Sequence, residues 1–232
     1  NEEGDVHHAL ILFPVDPLSD IDFSMTNFLI HHTNRKHMQI TRFVCNMVHE
    51  NTYLLWDETS GEAALVDCGA FYEEERRAIS DFIRSHDLKL CHLFNTHAHF
   101  DHLFGADFVE RSFGVKPEIS RQEVPTYEAA VSQMQQFIGG EYLLELPELG
   151  PCFADGDELH VGQVRLQVIA TPGHTPGGVC FHIPEEQVLF SGDSLFRHAV
   201  GRCDLPGGDE RSLLQSLKQR ILTLPEEVMV LP

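Results

Sequence analysis

Strand-like runs of mainly apolar residues lie at residues 39–45, 52–56 and 63–66, and turn formers such as Asn51, Ser60-Gly61 and Cys68-Gly69 bound them. Short apolar runs with such punctuation predict three strands. Over residues 72–86 the pattern changes: Ile79, Phe82 and Ile83 share one helical face, while Glu73, Glu74, Glu75, Arg76 and Arg77 lie elsewhere. That is the pattern of an amphipathic helix. A short apolar strand follows at 88–94, then a histidine-rich loop, a helix over 102–113 and a third helix within 121–138. Gly139-Gly140 and the proline-bounded stretch 147–151 lead into a second set of strands at 158–160, 164–169, 178–182 and 188–191. A helix over 209–222 and a strand over 228–231 complete the pattern. Strands, helices, strands, helix and strand in two similar halves predict an α+β fold: a four-layer αβ/βα sandwich of two mixed sheets with external helices.

Residues 1–37 hold neither pattern and carry five of the fifteen histidines (His7, His8, His31, His32 and His37). They read as an N-terminal appendage to a domain spanning 38–232. Met38 opens the first regular pattern and is a candidate start, which would make the preceding residues upstream-encoded or appended.

Composition narrows the function. Sixteen Lys and Arg against 36 Asp and Glu give a net charge of −20, which repels nucleic acid and acidic membrane surfaces alike. No apolar run approaches the roughly 20 residues of a membrane span. The six cysteines are scattered without a CxxC pair, as expected of free thiols in a reducing compartment. A cytoplasmic protein acting on a small molecule is the expectation.

The chemistry concentrates in Thr96-His97-Ala98-His99-Phe100-Asp101-His102, directly after a strand. Alternate residues of an extended segment point the same way, so His97 and His99 can chelate one ion while Asp101 and His102 turn toward a neighbouring position. Imidazole with carboxylate suits Zn²⁺, with Fe and Mn also accommodated. Farther on, Thr171-Pro172-Gly173-His174-Thr175-Pro176-Gly177 and Ser191-Gly192-Asp193-Ser194 each place one ligand-type side chain in a turn at a strand end. Taken singly, each is explained equally well as a structural turn.

Together, over residues 38–232, these segments resemble the metallo-β-lactamase superfamily, whose signature is HxHxDH, a lone histidine, a lone aspartate and a last histidine near the C-terminus. The resemblance implies two Zn²⁺ per chain: His97, His99 and His174 as ligands of the first, Asp101 and His102 of the second, and Asp193 bridging both. Asp67, closing Ala64-Leu65-Val66-Asp67-Cys68-Gly69, matches an aspartate that supports the metal histidines. The segments Thr171-Pro172-Gly173-His174-Thr175-Pro176-Gly177, Gly192-Asp193-Ser194-Leu195-Phe196 and Gly201-Arg202-Cys203-Asp204-Leu205-Pro206-Gly207-Gly208-Asp209 look most like the short glyoxalase II-like, or hydroxyacylglutathione hydrolase-like, enzymes. Arg202 then either holds a substrate carboxylate or fixes its turn through Asp204.

That subfamily implies a thioesterase acting on an acyl thioester such as a hydroxyacyl-glutathione through a hydroxide generated at the dinuclear site, with Asp101 and Asp193 as catalytic residues. Related persulfide dioxygenases imply an alternative, one iron held by His97, His174 and Asp193, and a non-catalytic metal protein is the second alternative. The family's last histidine follows a strand ending in Leu-Pro, and the sequence reads Val230-Leu231-Pro232 at its end. The expectation is that the native polypeptide continues and supplies that histidine. His49, His86, His92, His160, His182 and His198 lack ligand spacing and are assigned to the surface or the core; Cys68 and Cys203 are assigned to packing.

Overall fold

The structure, a computed structural model, describes residues 28–29, 38–139 and 143–232. The first half comprises strands β1 (Phe28–Leu29), β2 (Met38–Cys45), β3 (Glu50–Asp57) and β4 (Glu62–Val66), helix α1 (Glu73–Ser85), strand β5 (Lys89–Phe94), helix α2 (Ala106–Phe113), strand β6 (Pro117–Glu118) and helix α3 (Val124–Ile138). These strands form one sheet in the order β1-β2-β3-β4-β5-β6, antiparallel up to β4 and parallel from β4 to β6. Apart from Phe28–Leu29, which pair with β2, the appendage expected over residues 1–37 lies outside the described residues.

The second half comprises β7 (Glu158–Val161), β8 (Val164–Ala170), β9 (Val179–Ile183), β10 (Val188–Phe190), the small hairpin of β11 (Leu195–Phe196) and β12 (Ala199–Val200), helix α4 (Glu210–Ser216) and β13 (Met229–Leu231). Its main sheet runs β13-β10-β9-β8-β7, with β10 and β13 parallel and the other pairs antiparallel. Both sheets are therefore mixed, and the expected four layers are present.

Alternation along the strands sorts the side chains into those layers. Ile40, Leu55, Ala64, Val66 and Phe94 of the first sheet meet Leu166, Val168, Phe181, Ile183 and Phe190 of the second in the central core. The opposite faces of the same strands present Leu54, Trp56 and Leu65 to Ile79 and Ile83 of α1, and Cys180, Leu189 and Val230 to Leu213 of α4. In β5 both Leu90 and Leu93 face the helices although they are three residues apart. A register shift opposite Ala63 and Ala64 skips Cys91, and such a bulge resets the alternation. Phe181 is fully buried, its ring edge-on to Phe153 at 5.5 Å and tilted against Phe94 at 5.8 Å. Phe181→Ala should therefore lower unfolding stability by about 3–5 kcal/mol, as read from urea denaturation; a loss under about 1 kcal/mol would contradict this packing.

Two helices differ from expectation. The helix over 102–113 starts only at Ala106, and Phe100–His102 form a single 3₁₀ turn. The His102 carbonyl accepts from Cys68 N at 3.2 Å and Asn95 Nδ2 at 3.1 Å, so neighbouring segments take the acceptor that a helix would use. The helix over 209–222 is α-helical only to Ser216 and then widens into a π turn over Leu217–Ile221. Leu213, Leu217 and Ile221 are spaced by four residues, more than the 3.6 of an α-helix, and the wider turn keeps all three on the sheet. Among the described residues no helix is long and apolar enough to cross a membrane.

Candidate metal centre

Every ligand-type residue singled out in the sequence lies in a turn just beyond a strand: Asp67 after β4, the 97–102 run after β5, His174 after β8 and Asp193 after β10. The structure gathers them at one edge of the sandwich. His174 Nε2 lies 3.3 Å from His97 Nε2 and 2.9 Å from His99 Nδ1, with all three side chains buried. Ligands about 2.0–2.1 Å from a tetrahedral ion sit roughly 3.3 Å from one another, so these nitrogens are spaced as a shared cation requires. Burial first, then the mutual repulsion of neighbouring imidazoles, drives His97 well below its ordinary pKa and His99 down to about 3. Both rings are thus neutral and offer lone pairs. His174 Nδ1 lies 2.7 Å from the Arg202 carbonyl; as the donor there, it leaves Nε2 turned toward the other two rings.

Beside this trio lies a second group. His102 Nε2 is 3.4 Å from Asp193 Oδ1 and 3.8 Å from Asp101 Oδ2, while Asp193 Oδ2 is 3.4 Å from His174 Nε2. One carboxylate therefore faces both groups, an oxygen to each. Burial opposes charge on His102, yet Asp67, Asp101 and Asp193 together raise it well above the ordinary histidine range. A cation at this point would replace the Nε2 proton, leaving Nδ1 to face Asp67 Oδ2 at 3.1 Å. Burial likewise pushes the Asp101 carboxyl up, whereas for Asp193 the same penalty is outweighed by the hydrogen bond and charge of His102 and the neighbouring histidines, which hold it down. The donor set fits one ion at His97, His99 and His174; the second close group is His97, His102 and Asp193, with Asp101 reaching only as near as 3.8 Å from His102 Nε2.

Asp67 adopts a left-handed backbone, φ +56, which places its carboxylate under the histidine loop. There Oδ1 accepts from Thr96 N at 2.9 Å and Oδ2 from Thr96 Oγ1 at 2.8 Å. Asparagine tolerates this conformation, so Asp67→Asn isolates the loss of charge from backbone strain. Affinity for the ion held by His102 should fall about 10–100-fold, as measured by chelator competition, while the first ion stays tight; unchanged affinity would remove Asp67 from the support of His102. Arg202 forks onto Asp204, with Nε and Nη2 at 2.7 and 2.8 Å from the two carboxylate oxygens, which is the turn-fixing arrangement. Gly201 packs so closely that a Cβ there would lie 1.8 Å from the Asp193 carbonyl oxygen, so only glycine lets this segment reach the site.

Two buried carboxylates escaped the sequence reading. Glu50 accepts from Gly69 N at 3.0 Å and Thr52 Oγ1 at 2.7 Å, with a ligand-type oxygen within 4.8 Å of Asp67 and His102. Glu123 accepts from Ala98 N and Gly177 N. Neither stands in a local motif, and both are joined to the site only by tertiary contacts. A cavity of about 240 Å³ opens beside Asp101, His102 and Asp193, with Val48, His49 and Phe196 in its walls.

The chain is similar to several known proteins. Hydroxyacylglutathione hydrolase GloC of Haemophilus influenzae is 31% identical, over 78% of this chain and 84% of that protein. The mitochondrial persulfide dioxygenase ETHE1 of Mus musculus is 32% identical, over 78% of this chain and 62% of that protein. The crystal structure of TTHA1623 in a di-iron-bound form superposes with a TM-score of 0.69 at 34% identity, covering 82% of this chain and 89% of that one. The family model of the metallo-beta-lactamase superfamily matches residues 46–231, and with the sandwich and its His/Asp cluster in place the chain belongs to that superfamily.

Proposed function

We propose that this protein is a metal-dependent hydrolase of acyl thioesters, with a hydroxyacyl-glutathione as the best-matched substrate class. The observation that carries this reading is the Asp193 carboxylate, which turns one oxygen to the three-imidazole group and the other to His102. That is the donor arrangement of a two-ion site, and the similarity to GloC points the same way. His97, His99 and His174 hold the first ion, and Asp101 and His102 the second. Bound Zn²⁺, Fe or Mn supplies Lewis acidity at the acyl oxygen and a water whose pKa is brought near 7.

The chain's own groups do the rest. Asp193, kept ionised by His102 and the neighbouring histidines, fixes the register between the two groups. Asp101, part-exposed with Oδ2 3.8 Å from His102 Nε2, is ionised when it holds the second ion and is placed to accept a hydrogen bond from the attacking water and orient it. His102 is oriented by Asp67 and cannot rotate without giving up that contact.

The similarity to ETHE1 favours one rival, a single iron held by His97, His174 and Asp193 that serves persulfide oxidation. Against it, His102 lies against the second Asp193 oxygen with Asp101 beside it, a group that a single-ion site leaves without a role. Metal quantification on protein purified without added metal, run beside a hydroxyacyl-glutathione hydrolysis assay and an oxygen-uptake assay with glutathione persulfide, separates them. The expected result is metal-dependent thioester hydrolysis without oxygen uptake. Oxygen uptake with one iron per chain and no hydrolysis would overturn the proposal.

A further inference from the structure

Glu123 lies at the start of α3, remote in sequence from both ligand segments, and its side chain is fully buried. One carboxylate oxygen, Oε2, accepts from the backbone N–H of Ala98 at 2.9 Å, and the other, Oε1, from that of Gly177 at 2.7 Å. Ala98 sits between His97 and His99, and Gly177 closes the turn that carries His174. A single rigid group therefore spans the two loops that must meet for three imidazoles to face one point. The contact is tight on the His174 side, since a Cβ on Gly177 would lie 2.5 Å from Gln122 C and Glu123 N. Glu123 is itself anchored: its N–H donates to Ser120 O at 2.8 Å, and Arg121 N donates to Phe153 O at 2.9 Å. The other backbone tie nearby, Val179 N to Thr96 O at 2.9 Å, joins the segments outside the ligands.

The geometry points to Glu123 as a positioning residue that sets the distance between the His97–His99 run and the His174 turn, and so the affinity and shape of the three-imidazole site. This rests on the reading of those histidines as metal ligands. Both N–H groups need an acceptor, and a carboxylate offers two acceptors on one plane. The amide of Glu123→Gln offers one acceptor and turns a donor toward the other N–H. Glu123→Asp keeps both acceptors on a side chain one methylene shorter, unable to span both loops in their present places.

The test titrates Zn²⁺ against a chromophoric chelator in the full chain, for the parent protein and both variants. Visible absorption of the Co²⁺-loaded forms and circular dichroism of the metal-free forms accompany it. The expected result is a parent that binds Zn²⁺ and variants that retain the metal-free dichroism, bind the first Zn²⁺ about 10–100-fold more weakly and shift the Co²⁺ bands. A role confined to the fold would lower the denaturation midpoint and leave affinity and Co²⁺ spectrum at parent values, which overturns the inference. Failure of both variants to fold overturns it too, since the carboxylate would then serve the whole domain. A parent that binds no Zn²⁺ would instead bring down the ligand assignment beneath it.

Discussion

His174→Ala should leave the protein folded but nearly free of metal, with hydrolytic activity lost by more than the ~100-fold that removal of a supporting partner costs at most. The ring is the point of contact between the two other imidazoles, at 3.3 and 2.9 Å from His97 and His99, so its removal leaves two nitrogens where three converge. His97→Ala should match it, because that nitrogen set has no spare member. Metal content by mass spectrometry after dialysis, beside the thioester assay, checks both variants. Parent-level metal in either would show that the ion is held elsewhere.

Asp193→Ala should be the next most damaging change and should exceed Asp67→Asn. Asp193 faces both groups, so both ion positions weaken together when the carboxylate that faces His102 Nε2 and His174 Nε2 is removed. Asp67 touches only His102 among the ligands, and its loss tilts one ring. Metal stoichiometry below one per chain for Asp193→Ala, against one tight ion for Asp67→Asn, is the expected pattern. The reverse ranking would mean that the bridging and supporting roles are exchanged.

Much of this was legible because it is local. The change of pattern at Ile79, Phe82 and Ile83 located α1, and four ligand-type residues within six positions located the histidine loop. Asp67 and His174 were legible only through the family pattern, since turn chemistry alone explains each. What escaped is what tertiary contact creates. The Glu123 carboxylate bonds across 25 residues to Ala98 and across 54 to Gly177, and nothing beside it in sequence announces either partner. The same cause displaced the start of α2: the His102 carbonyl reads as helical from its neighbours and is claimed instead by Cys68 and Asn95.

The division of the three imidazoles between the halves also bears on how long the protein survives. His97 and His99 follow β5 in the first sheet and His174 follows β8 in the second, so a chain with only one half folded offers an ion two of these rings at most. An ion that discriminates so sharply between native and partly open states lends its binding free energy to the docking of the two halves, about 4 kcal/mol when free metal is a thousandfold above the dissociation constant. Proteases act on the opened form, and its population falls by the same factor. Metal starvation would then reduce the amount of this protein in a cell as well as the rate of each molecule.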